Sequence, residues 1–488
     1  MSLTCETSIT KIQPDDKMQD KNSPMRTKFV GQGMLLFIDQ ILLAITNWFY
    51  WLVISRFAST SEIGQATSVY SLVLLIAVVS QIGLEYPLLK KSSLQRSHVF
   101  GTALAIELIM TSGAIAAVIF LANTDMYHAS LGGYVLVAIT FLALMQISFI
   151  SRYALLGISN ARSVVVFNIV ATGGKFLTAY ILLSMGFGVF GILFSFLIAS
   201  LISAIGMMSI AGRQLSFKPV RDTRHVIEVL KEGLSNAPSK LSRTIIMTLS
   251  VILLASFGIS DSDIGIFYIA MMLSVVGSSL AGSMSYTVIP ASTESKVDLS
   301  SGSLRLGLSF TAPIVAALIV APRDILSIIG PQYASADTIL LVLAMGIMPI
   351  AISVNAVSKF NNLDHGRRVI AIGIIQAVGF LASFFILVPY YGILGAAYSI
   401  LIAYTASAVY AVAMFETYER RYVSNCIVAI IIGCAAGYAI NLMLGHSLPT
   451  IVSSVAATSV VLLALRNTSV SELRQLVLTM RNPRESHI

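Results

Sequence analysis

The residues in this sequence that could do chemistry are few, and three of them sit where charge is costly. Asp39, Glu107 and Lys175 each interrupt a long apolar run. A charge at the centre of a bilayer costs from about 3 kcal/mol to well over 10, so it normally faces a cavity or a partner. At 1.5 Å per helical residue, Asp39 lies roughly 8 Å and Glu107 roughly 12 Å into its run, with Lys175 deeper still. Two chemistries fit the trio. In one, a hydrated cavity lets Lys175 meet an anionic group, and Asp39 or Glu107 takes up a proton or a coupling cation. In the other, the same residues form a buried ion pair that only pins helices together. Two arginines close the set. Arg56 ends its apolar run, where a long cationic side chain can snorkel to the interface. Arg243 lies far enough into its run to line a cavity mouth, whereas Lys240 is better read as a topology signal. Asn47, Asn168 and Asn355 suit hydrogen bonds between helices.

The elements that must position these groups are membrane spans. A hydrocarbon core of roughly 30 Å needs about 20 helical residues to cross it. Fourteen stretches fit: 34–54, 66–84, 99–122, 132–150, 163–185, 189–211, 236–257, 264–289, 306–321, 336–357, 367–388, 392–414, 423–444 and 448–465. They are numbered spans 1–14 below. With the N-terminus inside, Arg56 and Arg323 fall in outer loops and Lys175 within a span, which leaves 28 of the 31 Lys and Arg on the inner side. Lys and Arg mark the cytoplasmic face. Both termini are therefore expected in the cytoplasm, and the protein in the cytoplasmic membrane. Losing one span would invert every later loop and scramble that split.

Apolar residues make up 56% of the chain and charged ones 11%, far below the ordinary soluble share of about 25%. The net charge of +8 is accounted for by the inner loops, where cations meet anionic lipid. No basic stripe with interleaved aromatics suggests nucleic acid. Cys5, Cys426 and Cys434 form neither a disulfide framework nor a metal cluster, and no cofactor is expected. The Asn467-Thr468-Ser469 triplet falls on the inner side and reads as an accidental glycosylation match. Residues 1–30 are polar and read as a disordered tail, with no signal-peptide core before Met34. Two inner segments read as amphipathic helices lying in the membrane interface, one over 222–232 and one after Ser469; the first reads equally well as a solvated linker.

The chain repeats itself. Ser61-Glu62-Ile63-Gly64 opens span 2 and Ser262-Asp263-Ile264-Gly265 opens span 8, an offset of 201 residues. Residues 188–199 and 392–403 share Gly, Gly, Ser, Leu, Ile and Ala at six of twelve positions, an offset of 204. Six spans per half is an even number, so the halves have the same orientation in the membrane. Such repeats place a substrate site between two lobes near the midplane. The expected architecture is all-α and polytopic: a tail (1–30), an N-lobe of spans 1–6 (31–212), a cytoplasmic linker (213–235), a C-lobe of spans 7–12 (236–415), spans 13 and 14 (416–465) and an amphipathic tail (466–488).

Several segments resemble the polysaccharide-biosynthesis flippases, which export lipid-linked oligosaccharides. That family shares a superfamily with the multidrug and toxic-compound extruders and the lipid II flippases. The resemblance lies in Ser55-Arg56-Phe57-Ala58 with Glu62-Ile63-Gly64 and Gly83-Leu84, and in Tyr153-Ala154-Leu155-Leu156-Gly157 with Asn160-Ala161-Arg162. It continues in the run from Ile325 to Tyr333 with Ala336, and in the paired glycines Gly188/Gly191 and Gly392/Gly395. It spans residues 30–465, and order and spacing are its specific part. Lys90-Lys91 after Tyr86-Pro87 and the long polar N-terminus depart from it.

The resemblance implies a monomeric transporter, not an enzyme, that carries a lipid-linked saccharide by alternating access among membrane lipids. It raises the reading of Arg56 as a phosphate contact where the lobes open outward. The related drug extruders imply a cation-binding role for a first-span acid, here Asp39. A cation-coupled drug extruder is the first alternative, although those usually have 12 spans. A membrane-embedded glycosyltransferase or polymerase is the second. It would need catalytic groups on sizeable loops, and the outer loops here are short.

Overall fold

The computed structural model describes residues 42–43, 46–81, 83–91, 99–124, 132–158, 160–218, 223–295, 300–363, 365–444 and 447–467. Asp39, both terminal tails and the expected helix after Ser469 lie outside them. Among the described residues every regular element is helical, as a chain in lipid requires, since each backbone N–H and C=O must be satisfied within its own segment. Eleven helices are long and apolar enough to cross a membrane. The described residues of the fourteen expected spans are mostly helical. Span 1 is described from residue 46 to 57 as helix. Spans 11 and 12 run continuously as Gly366–Ala413, broken only at Gly392, whose φ of 54° suits glycine. Pro313 and Pro349 sit inside helices that continue past them.

The repeat has a local cause at the helix starts. Ser59 and Glu62 form a reciprocal capping box at the head of span 2 (Thr60–Ser80). Their counterparts also pair at the head of span 8 (Asp261–Ser295), there through the serine side chain: the Asp263 amide donates to Ser260 Oγ at 3.2 Å, and that hydroxyl donates to the Asp263 carboxylate at 2.7 Å.

In the first half, span 6 (Gly188–Gln214) packs against spans 2, 4 and 5. In the second, span 10 (Asp337–Asn362) is the most enclosed. Of its apolar window 78% is buried, against 22% for spans 13 and 14, so span 10 is the centre and the last two spans face lipid. Spans 13 (Thr417–Leu444) and 14 (Ser447–Ala464) pack on each other and on span 9 (Ser300–Val320). A buried ion pair ties the start of span 13 to the end of span 10. Lys359 Nζ of span 10 meets Glu419 Oε1 of span 13 at 2.6 Å, and Ser301 of span 9 donates to the same oxygen at 2.6 Å. Removing one partner of such a pair strands a buried charge at about 3–5 kcal/mol, while an apolar pair of similar size is often neutral. Glu419→Gln should therefore lower the thermal unfolding temperature sharply, and Lys359→Met/Glu419→Met should recover most of it. Equal stability of Glu419→Gln and wild type would show that the pair contributes nothing.

One expectation is corrected. The 222–232 segment is not a separate helix on the membrane surface. It is the start of one continuous helix, Thr223–Ser256, that includes span 7. Val229 is fully buried, and Val226 and Leu230 pack with it against Leu84, Leu88 and Phe100 at the inner end of the N-lobe. Val226 and Leu230 of the stripe cover protein, while Ile227 beside them is exposed. Asn467 is likewise buried, with its amide donating to the Tyr422 carbonyl, which agrees with an accidental glycosylation match.

Candidate functional site

Lys175 comes from the middle of span 5 (Ala161–Ser184) and reaches the seam between the lobes. A cavity of roughly 280 Å³ opens there, lined by Leu43, Thr46 and Asn47 of span 1, Thr172 and Lys175 of span 5, and Val275, Val276 and Ser279 of span 8. Thr172 and Lys175 are three residues apart, as are Leu43 and Thr46, so each pair shares one helix face. Lys175 Nζ donates to Asn47 Oδ1 at 3.4 Å and lies 4.0 Å from the centre of the Tyr50 ring. The Phe196 ring is 5.1 Å away. Among the described residues Lys175 has no carboxylate partner.

Glu107 is buried inside the N-lobe and does not line this cavity. Lys175 and Glu107 therefore form no ion pair with each other. Asp39 lies outside the described residues. For Arg243 only the helical backbone is described, so its side chain joins neither reading.

Arg56, the expected phosphate contact where the lobes open outward, here bonds to the backbone of the second lobe. Its guanidinium donates to the Ile328 carbonyl at the end of a short outer helix, Pro322–Ile329, between spans 9 and 10. Beside it, Ser55 Oγ donates to the Ile329 carbonyl at 3.2 Å and Gln332 donates to the Ser55 carbonyl at 3.4 Å. A cation on the last carbonyls of a helix is favourable electrostatically. Here it also joins the two lobes.

That contact is one layer of an outer seal. Deeper in, Trp51 of span 1 meets Tyr268 of span 8 edge-on, with ring centres 4.9 Å apart. Spans 2 and 8 cross where Thr60 and Ser262 hydroxyls hydrogen-bond at 2.8 Å. Gly64 lies against the Asp261 carbonyl and Gly265 against the Thr60 carbonyl, each so closely that a Cβ would overlap the opposing backbone. These are the glycines of the repeated motif, so the repeat is the surface on which the halves meet. The cavity lies on one side of this seal, toward the N-terminal half of span 1.

Sequence reasoning missed Tyr50, Thr46, Thr172 and Ser279, because hydroxyl and aromatic residues are ordinary in membrane helices. The one available signal was spacing: Asn47 and Tyr50 share a face three residues apart, as Thr172 and Lys175 do.

The fold is polytopic and helical, with a polar cavity between two repeated halves. Solved structures agree on the fold. The chain is similar to an inward-facing multidrug resistance MATE family transporter of the MOP superfamily (TM-score 0.55, 15% identity, covering 84% of this chain and 97% of that one). It is also similar to the MATE multidrug transporter DinF-BH (0.55, 16%, 84% and 99%). A third is a MOP superfamily transporter from Pyrococcus furiosus, described as having a binding pocket of reverse polarity that suggests a different function (0.53, 14%, 82% and 96%). The sequence matches no family model and no curated protein. At these identities the likeness is one of fold.

Proposed function

We propose that this protein carries an anionic lipid-linked saccharide across the cytoplasmic membrane by alternating access between its lobes. The observation that carries this reading is the polarity of the cavity. Among the described residues its one charged lining group is Lys175, surrounded by the hydroxyls of Thr46, Thr172 and Ser279 and the amide of Asn47, and none of them on its wall is a carboxylate. An ammonium with hydroxyl and amide neighbours suits a phosphate or pyrophosphate. It repels an organic cation. A polyprenyl tail would remain in lipid while the phosphate and sugar cross between the lobes. Proteoliposomes holding a fluorescent sugar on a polyprenyl pyrophosphate test this directly. The protein should expose the sugar to an impermeant quencher far faster than empty liposomes do, and equal rates would refute the assignment.

A second reading, a multidrug extruder, is favoured by the fold likeness to MATE multidrug transporters. Efflux of a cationic dye by cells expressing the protein, without movement of the lipid-linked sugar, would select it.

The topology that goes with either reading has both termini in the cytoplasm. In a variant lacking Cys5, Cys426 and Cys434, cysteine at Ser260 should react with an impermeant thiol reagent on intact cells. Cysteine at Asp20 or Glu485 should react only after lysis. Labelling of the C-terminal position on intact cells would overturn the orientation.

A further inference from the structure

We infer that Tyr50, assisted by Phe196, is a specificity-determining positioning residue: its ring serves as the resting partner of the Lys175 ammonium and steadies that cation without a competing negative charge, ready for an incoming anion. This deepens the proposed substrate class and rests on it. A cation in a membrane span needs a partner, and a carboxylate would be the usual one. It would also compete with an anionic substrate for the same charge. The face of an aromatic ring attracts a cation through its quadrupole and carries no net charge, so it steadies the ammonium without competing for a phosphate.

The ring is held for this task. Tyr50 is fully buried and its phenol is paired with Ser195 Oγ. Ser195 spends its own proton on the Ile192 carbonyl at 2.7 Å, so the Tyr50 hydroxyl must be the donor. Phe176 and Phe196 meet the Tyr50 ring edge-on, with centres 5.6 and 5.4 Å away. The ammonium has three donors. One goes to Asn47, and the ring beneath takes up part of the remaining charge while the cavity stays open on the other side.

The test reads a ratio of affinities. The full-length protein in nanodiscs is titrated with a polyprenyl pyrophosphate and with the uncharged polyprenol of equal length. Quenching of Trp48 and Trp51, the only two tryptophans, reports binding, and Trp51 touches the Tyr50 ring at 5.3 Å between centres. In wild type the pyrophosphate should bind tighter than the alcohol. Tyr50→Phe keeps the ring and should keep the ratio within about twofold. Tyr50→Leu should cut the ratio about tenfold while leaving the alcohol's affinity unchanged. Phe196→Leu, the second variant should Tyr50→Leu fail to fold, should cut it less, because that ring is farther from the ammonium. If Tyr50→Leu weakens both probes equally, or Tyr50→Phe loses the ratio as fully, the ring is only packing and the inference falls. Lys175→Met separates the two levels. If it leaves the ratio intact, the anionic-substrate reading itself fails. If it collapses the ratio and Tyr50→Leu and Phe196→Leu do not, only the role of the rings is lost.

Discussion

Lys175→Met should abolish transport while leaving a protein at least as stable as the parent. The charge costs folding energy wherever it sits in the bilayer, about 3 kcal/mol on the most lenient measure. Its described partners, one amide at 3.4 Å and two ring faces, offset part of that cost. Met has nearly the same length and flexibility, fills irregular space and needs no partner. Removing the cation therefore relieves the fold and removes the feature that attracts an anion. The measurement is paired: thermal unfolding in detergent, and flipping of a lipid-linked sugar in proteoliposomes. Unfolding at or above the wild-type temperature with transport down at least a hundredfold is expected. A large loss of stability with transport per folded molecule unchanged would make Lys175 a structural residue. The result would also bear on the drug-extruder reading, since a cationic dye should be carried better once the repelling charge is gone.

Gly64→Val should hold the outer side open and stop the transport cycle. At Gly64 even one added carbon would overlap the Asp261 carbonyl, and at Gly265 the Thr60 carbonyl, so both obstacles are backbone and neither can swing aside. The two helices must separate instead. That breaks the Thr60–Ser262 hydrogen bond and draws the Trp51 and Tyr268 rings apart. Overpacking of this kind costs about 1–3 kcal/mol or more. Each 1.4 kcal/mol changes a two-state ratio tenfold, so the closed state should fall by one to two orders of magnitude. Most of the packing within each half is untouched, and the protein should still fold. Cysteines at Thr60 and Ser262 report the seal: oxidation should cross-link them readily in the otherwise normal chain and at least tenfold more slowly with Gly64→Val. Gly265→Val should behave alike, because the two glycines are related by the repeat. Unchanged cross-linking with either valine would mean that the seal is made elsewhere.

These glycines mark the boundary of sequence reasoning. The Ser-x-x-Glu and Ser-x-x-Asp caps, the glycines after them and the 201-residue offset are all visible as a repeat. That the repeated segments touch each other is not visible. Gly64 and Gly265 have neither hydropathy nor charge to signal a partner, and their closeness depends on how the two lobes are rotated against each other. Arg56 shows the same limit. Its position at the end of span 1 is legible, but its partner is a backbone carbonyl 272 residues on, and a carbonyl leaves no mark in a sequence.

Read alone, the chain shows where its apolar runs lie, which loops are expected to face inward and that the two halves are alike. Those properties follow from hydropathy over about 20 residues and from loop charge, both of which are local. It also singled out Lys175, since the bilayer makes any intramembrane cation conspicuous. What the described charges face was set by the packing of distant spans in three dimensions. That packing turned Lys175 toward a cavity and an aromatic ring, left Glu107 inside its own lobe, and laid Val226 and Leu230 of the linker onto protein. Helical periodicity says which residues share a face. It does not say what that face meets, because lipid, a neighbouring helix and a cavity wall can all accept the same apolar stripe, and only close packing among distant spans distinguishes them.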